Sequence, residues 1–180
     1  QPIVIDHKPG AGGNLGAAEA ARAAAEGYPL LMASPPLTIS PALYSKLPYK
    51  PEQIAPVALL GRVPNVLMVN PASGINTVAE LTALAKANPG KLTFASSASL
   101  QHLGGELFKL AAGVNMTHIP YKGAGPAVID VLGGNVNTVI SNPTSVVPHI
   151  RSGKLKALGI LGGQRIDVLK EVPTAVEQGF

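Results

Sequence analysis

From Thr77 to Leu161 the chain repeats one pattern four times: a helix-forming segment, a glycine that stops it, and a short apolar run. Residues 78–88 lead through Gly90 to KLTFAS, and 100–112 lead through Gly113 to NMTHI. The segment after Pro126 leads through Gly134 to VNTVIS, and 145–152 lead through Gly153 to LKALGIL. Helices that alternate with short apolar strands predict an α/β domain with a mostly parallel sheet and right-handed crossovers. In such sheets ligands meet the loops that follow the strands' carboxyl ends, so the search for function narrows to those loops.

The most informative loop lies within residues 115–134, NMTHIPYKGAGPAVIDVLGG. Met116, Thr117 and Ile119 suit a strand, and Pro120 ends its pairing on one side. Tyr121, Lys122, Gly123, Ala124 and Gly125 form a turn, and Pro126 takes the first position of a helix over 127–132. Such a start points free backbone N–H groups and the positive end of the helix dipole into the turn, which favours a carboxylate or phosphate. Gly123 and Gly125 let an anion reach the backbone, and Lys122 adds charge. The competing reading is an ordinary strand-to-helix connection with a solvated lysine.

Three further loops offer small hydrogen-bonding groups: Ser34 with Pro35; Ser96, Ser97 and Ser99 ahead of Gln101 and His102; and Ser141 with Asn142, Pro143 and Thr144. Hydroxyls and amides bind polar ligands well but are poor acids and bases. Helix N-capping is their alternative role. The histidines His7, His102, His118 and His149 form no H-x-x-x-H pair, and no serine sits in a G-x-S-x-G elbow. His118 reads as a structural histidine in a strand, and His102 and Glu106 as an i, i+4 pair on one helical face. The sequence thus offers binding groups rather than a reactive set, and no metal or cofactor is expected.

Ahead of these repeats, residues 2–6, PIVID, read as a buried parallel strand, followed by a glycine-rich turn, a helix over 17–26 and a strand in PLLMAS. The turn carries Gly10, Gly12, Gly13 and Gly16, which invites a nucleotide- or phosphate-binding enzyme domain as an alternative. Its spacing does not fit G-x-G-x-x-G, because position 15 is Leu, and no acidic residue ends the next strand. Between residues 34 and 56 six prolines leave room only for a short helix over 41–46. Strands over 57–60 and 66–70 follow, and Pro71 with Gly74 marks a boundary.

Composition narrows the partners. The net charge of +4 comes from scattered residues, with three Phe, four Tyr and no Trp, so the basic stripe and stacking aromatics of a nucleic-acid binder are missing. A mild positive field suits a small anion. The absence of cysteine excludes disulfides, thiolate metal sites and a Cys nucleophile. No apolar run reaches the roughly 18 residues of a membrane span, so direct insertion is not expected. The sequence opens on a strand-like segment without an initiator Met, as expected if an upstream signal peptide has been removed.

The ordered succession PGAGGNLGAAEAARAAAEGYPLLMAS, PNVLMVNP, TVAELTALAKANPGKLTFASS, QHLGGELFK, HIPYKGAGPAVIDVLGGNV, PHIRSGKLKAL and VPTAVEQG resembles the solute-binding proteins of tripartite tricarboxylate transporters, the Bug-type periplasmic receptors. The resemblance spans nearly the whole chain. It implies a two-lobed, type II periplasmic-binding-protein fold with the first lobe, 1–70 and 164–180, incomplete, and the second over 71–163. It implies a non-enzymatic periplasmic receptor that takes a small carboxylate between its lobes and hands it to membrane transporter subunits. Residues Lys122, Gly123, Ala124 and Gly125 match one family carboxylate loop, and Ser96, Ser97, Ser99, Ser141 and Asn142 fall on others. Against the family pattern the chain starts after the first strand and its Pro-Gly-Gly loop, stops before the last helices, and has a shorter 95–103 loop. Ser141 stands where Asp is common. Besides the nucleotide-binding alternative, an interaction or domain-swapped module is the third reading.

Overall fold

The structure is a computed structural model that describes residues 2–8, 10–24 and 26–180. Gln1, Pro9 and Ala25, which fall within predicted segments, lie outside the described residues. The chain forms two compact units, 1–60 and 61–180.

The second unit is a three-layer α/β sandwich. Its strands are β1 (Asn65–Val69), β2 (Thr93–Ser96), β3 (Thr117–Pro120), β4 (Thr138–Ser141) and β5 (Lys156–Leu161), in the order β3-β2-β4-β1-β5. The helices α3 (Val78–Ala87), α4 (Ser99–Ala112), α5 (Ala124–Leu132) and α6 (Pro143–Arg151) follow strands β1 to β4 in turn. β2 pairs parallel with both β3 and β4, whereas β1 pairs antiparallel with β4 and β5. The sheet is therefore mixed: the four strands of the repeating pattern share one direction, and β1 alone opposes them. Helices α4, α5 and α6 link β2 to β3, β3 to β4 and β4 to β5, the kind of connection parallel strands require. β1 also leads through a helix, α3, into β2, yet runs opposite to it, so that connection is not a parallel crossover.

Alternation along the strands divides the core. Val66, Met68, Ala95, Val139 and Ile160 face α5 and α6, where they meet Ala127, Val128, Val131 and Val146. Leu67, Val69, Phe94, Ile140 and Leu158 face the other way and pack with Val78, Leu81, Ala85, Phe108 and Ala112 of α3 and α4. Central β1 is buried throughout, as its unbroken apolar run requires of a strand covered on both faces. Residues 61–70 and 164–180, which the resemblance assigns to a first lobe, pack within this unit. The tail returns along β5, with Ile160 N–H donating to Pro173 O at 2.9 Å and Ala175 N–H to Ile160 O at 2.9 Å.

Two helix starts differ from those the sequence predicts. Pro126 is the third residue of α5, not the first, because the helix starts at Ala124; the first-turn N–H groups have no intrahelical acceptor, so proline costs nothing there. α6 likewise opens at Pro143, two residues earlier than expected, with Asn142 as its cap.

The first unit holds α1 (Asn14–Arg22) and α2 (Pro36–Leu43) around Ala17, Ala18 and Tyr49, and the Tyr49 hydroxyl donates to Asn14 Oδ1 at 3.0 Å. The helix expected over 17–26 begins at Asn14 and ends at Arg22, where Ala23 turns extended. The short helix expected over 41–46 lies at Pro36–Leu43, with Pro41 inside it. The strands expected at 2–6, 29–34 and 57–60 do not form. Except for Leu31, which packs against the cluster of Ala17, Ala18 and Tyr49, their large apolar side chains stand in solvent, with Ile3 91% and Val57 82% exposed, because each extended run lacks a paired edge within the unit.

Gly105 is where α4 meets the sheet: a Cβ there would lie 2.3 Å from Phe94 Cε2, and Phe94 is buried. Gly105→Ala should therefore destabilise the second unit by about 1–3 kcal/mol as the ring is forced aside. The check is urea unfolding, where the midpoint should fall at unchanged m; an unchanged midpoint would show that the ring yields freely.

Candidate functional site

With β2 to β5 running one way, their last residues Ser96, Pro120, Ser141 and Leu161 gather on one edge of the sheet. Antiparallel β1 starts at that edge, since Asn65 pairs with Leu161 and Val66 with Ser141. α4, α5 and α6 all begin there. Their N-termini differ in one respect. α6 is capped by Asn142 Oδ1, which accepts from Ser145 N–H at 3.2 Å, from Ser145 Oγ at 3.1 Å and from Thr144 Oγ1 at 2.6 Å. α4 and α5 follow Ala98 and Gly123 with no side-chain cap. Their first-turn donors and the positive ends of their dipoles thus face the edge without a side-chain acceptor.

Nine of the ten sequence-predicted residues belong to this edge. Gly123 has φ 117° and ψ 161°, a conformation nearly confined to glycine, and nothing lies within 4 Å of a Cβ built on it. Gly125 is equally open, Ala124 opens α5, and Lys122 is exposed. Ser96 Oγ lies 2.8 Å from His118 Nε2, and Ser97 donates from both N–H and Oγ to Gln101 Oε1 at 2.9 Å. Ser99 is the first residue of α4. Ser141 is 1% exposed, yet its hydroxyl has no hydrogen-bond partner. Of these loops only Asn142 fulfils the capping role. The tenth residue, Ser34, is exposed in the first unit, where its carbonyl accepts from Leu37 N–H at 3.0 Å.

Sequence reasoning missed two contributors. Asn65 is 7% exposed and opens an otherwise apolar strand, its Nδ2 3.7 Å from where a Cβ on Gly104 of α4 would stand. A polar residue heading an apolar run was the available signal. Tyr121 is the second: its N–H donates to Ser96 O at 2.9 Å and its hydroxyl to Asp130 Oδ2 at 2.5 Å, tying the end of β2 to the loop and to α5. Burial and the Asp130 carboxylate push the Tyr121 phenol up to about 12, and the same bond, with help from Asn135, holds the Asp130 carboxyl below its usual range.

The arrangement can bind an anion but is not built for acyl transfer. His118 lies face to face with His102, 3.7 Å between ring centroids, and no acid bonds its Nδ1 among the described residues, so nothing orients it as a base for Ser96. Among the described residues no three His, Asp or Glu groups gather to hold a metal. No helix among them is long and apolar enough to cross a membrane. In the first unit, the strand that a nucleotide-binding glycine loop requires does not precede Gly10 among the described residues, and a Cβ at Gly10 would meet Leu15 Cδ1 at 2.7 Å. The glycine there serves the turn.

A covered α/β sheet whose polar groups and helix starts share the carboxyl edge defines a class of ligand-binding domain. The family model described as the tripartite tricarboxylate transporter family receptor matches residues 1–180, and the chain belongs to that family. It is 44% identical over 185 residues to protein BugT of Bordetella pertussis, with all of this chain and 57% of BugT covered. Among solved structures it resembles a R. palustris protein with adipate (TM-score 0.86, 34% identity, 98% of this chain and 60% of that one). It also resembles the periplasmic binding protein BugD (0.82, 34%, 98% and 60%) and MatC from Rhodopseudomonas palustris with bound malate (0.75, 30%, 94% and 59%). The chain thus spans a little over half the length of these relatives, and its fold is that of the periplasmic binding proteins of this family.

Tyr121→Phe should remove a phenol ionisation near 12 from the alkaline absorbance titration of the protein. If the lost step instead falls at the ordinary phenol value of about 10, the Asp130 clamp is absent in solution.

Proposed function

We propose that this chain is the ligand-binding part of a periplasmic receptor for a small carboxylate, delivering it to membrane subunits of a tripartite tricarboxylate-type transporter without chemical change. One observation carries the reading: α4 and α5 present uncapped N-termini to the edge where Gly123 leaves open space. A carboxylate accepting first-turn N–H groups would make charge-assisted bonds, with Lys122 nearby as a solvated charge. Ser96, Ser97, Ser99, Ser141 and Asn142 would complete the polar wall, and the unpartnered Ser141 hydroxyl would gain an acceptor. Relatives solved with adipate and malate support a dicarboxylate as the ligand class. In the complete receptor, residues 1–60, with Ser34, would belong to a first lobe, whereas 61–70 and 164–180, which the resemblance assigns to that lobe, would stay with 71–163, as they pack here.

A thermal-shift panel of adipate, malate, citrate and benzoate at millimolar concentration tests this, with ATP and NAD as the nucleotide arm. A ligand that binds only the native state stabilises it by mass action, by about 2.7 kcal/mol at a hundred times its Kd. A carboxylate shift without a nucleotide shift is expected; the reverse would favour the enzyme-domain alternative, and no carboxylate shift would count against the receptor.

Gly123→Val should weaken carboxylate affinity by about tenfold to several hundredfold, through loss of one or two charge-assisted bonds, with binding falling more than stability does. Lys122→Ala should cost less than about fivefold, as removal of an exposed charge generally does. Isothermal titration with circular dichroism as the folding control measures both. Folded Gly123→Val that binds like the parent would reduce the turn to a connection.

A further inference from the structure

Beside the anion-facing loops lies a cluster of titratable groups that carboxylate binding does not use. His118 on β3 and His102 on α4 stack with their planes 9° apart, and Phe94 stands 4.9 Å from the His118 centroid. His118 reaches Ser96, the last residue of β2, while His102 sits in the first turn of α4, its N–H bonded to Ala98 O at 3.0 Å. The stack therefore braces both ends of the 96–99 loop. From α4 the groups facing this pair are Glu106, whose Oε1 is 3.5 Å from His102 Nε2, and Lys109, paired with Glu106 at 2.8 Å and lying 5.7 Å over the Phe94 ring. From β2 His118 meets Ser96 and Phe94, which carry no charge.

Resting on the carboxylate-receptor reading, we propose that neutral His118 is a positioning residue for the ligand site, and that its protonation releases the 96–99 loop and weakens carboxylate binding. A neutral ring stacks on His102 without repulsion and holds Ser96. A protonated one brings a partly buried charge against a second imidazole 3.7 Å away. Burial first, then His102 and Lys109, lower the His118 pKa, and Glu106 opposes them only in part. The sign follows: a base whose folded pKa is depressed contributes fully above its ordinary value of 6.5 and loses that contribution as pH falls below it. Because Ser97 remains tied to Gln101, the change is confined to Ser96 and the first turn of α4 rather than spread through the fold.

The test is isothermal titration of adipate and malate into the full chain at about pH 7.5 and about pH 5.5, with circular dichroism at both. His118→Gln keeps an amide partner for Ser96 without taking up a proton, and so also reports the ligand's own titration; His118→Asn replaces it should the glutamine variant not fold. The parent should bind about threefold to tenfold more weakly at the lower pH, where each unit of pKa difference between the bound and free forms is worth tenfold. His118→Gln, which loses the stack on His102, should bind more weakly than the parent near neutrality and show a smaller slope with pH, and His118→Ala should bind weakly at both values. A parent affinity that is flat or tightens on acidification, or a glutamine variant with the parent's slope, overturns the proposal and leaves the receptor reading standing. If the parent binds neither dicarboxylate at either pH, the receptor reading itself fails and the proposal falls with it.

Discussion

The site depends on one constraint: the shared direction of β2, β3, β4 and β5. β2, β3 and β4 are each joined to the next by a helix, so their three carboxyl ends are each followed by a helix beginning on the same edge. Three helix dipoles then converge in sign without any charged side chain being buried. Such an edge suits an anion, since backbone N–H groups and helix starts can offset an anion's lost hydration at little reorganisation. The antiparallel β1 contributes by closing the sheet's centre: it buries every side chain and brings Asn65 to the edge where β2 to β5 end.

Much of this was legible in the residues. The four glycine stops gave α3 to α6 and the strands between them within a few positions, because positive φ at Gly113, Gly134 and Gly153 is a local demand that sequence expresses directly. Gly123 was also readable, as a turn glycine before a helix. The direction of β1 was not, since nothing in the apolar run 66–69 records which way it runs. The stacking of His118 on His102 was hidden too: sixteen positions separate them, and only the pairing of β3 beside β2 under α4 brings the rings together. The first unit shows the opposite failure. PIVID and PLLMAS carry strand-forming residues, but a strand is a pairing, and propensity at Ile3 or Leu30 cannot supply the neighbour.

Within the edge, the polar groups divide into those that hold the loops and those left to meet a ligand. Ser97, Gln101, Asn142 and Tyr121 are committed to bonds that shape the backbone. The Ser141 hydroxyl and the uncapped starts of α4 and α5 are not. A buried hydroxyl without a partner costs on the order of 1–3 kcal/mol, so an acceptor arriving at this edge would recover that loss as binding energy. Such a division suits recognition: the committed bonds keep the remaining donors fixed, and no nucleophile is aligned with an oriented base.

The central claim, that an anion sits at the N-termini of α4 and α5, is tested most directly by following backbone amide resonances of the full chain during titration with adipate. The account predicts saturable shifts concentrated at Gly123, Ala124, Gly125, Ser99 and Leu100, with smaller changes at Ser141. Saturable shifts confined to Gly10–Gly16, or binding that leaves the 97–101 and 122–125 amides unmoved, would contradict it.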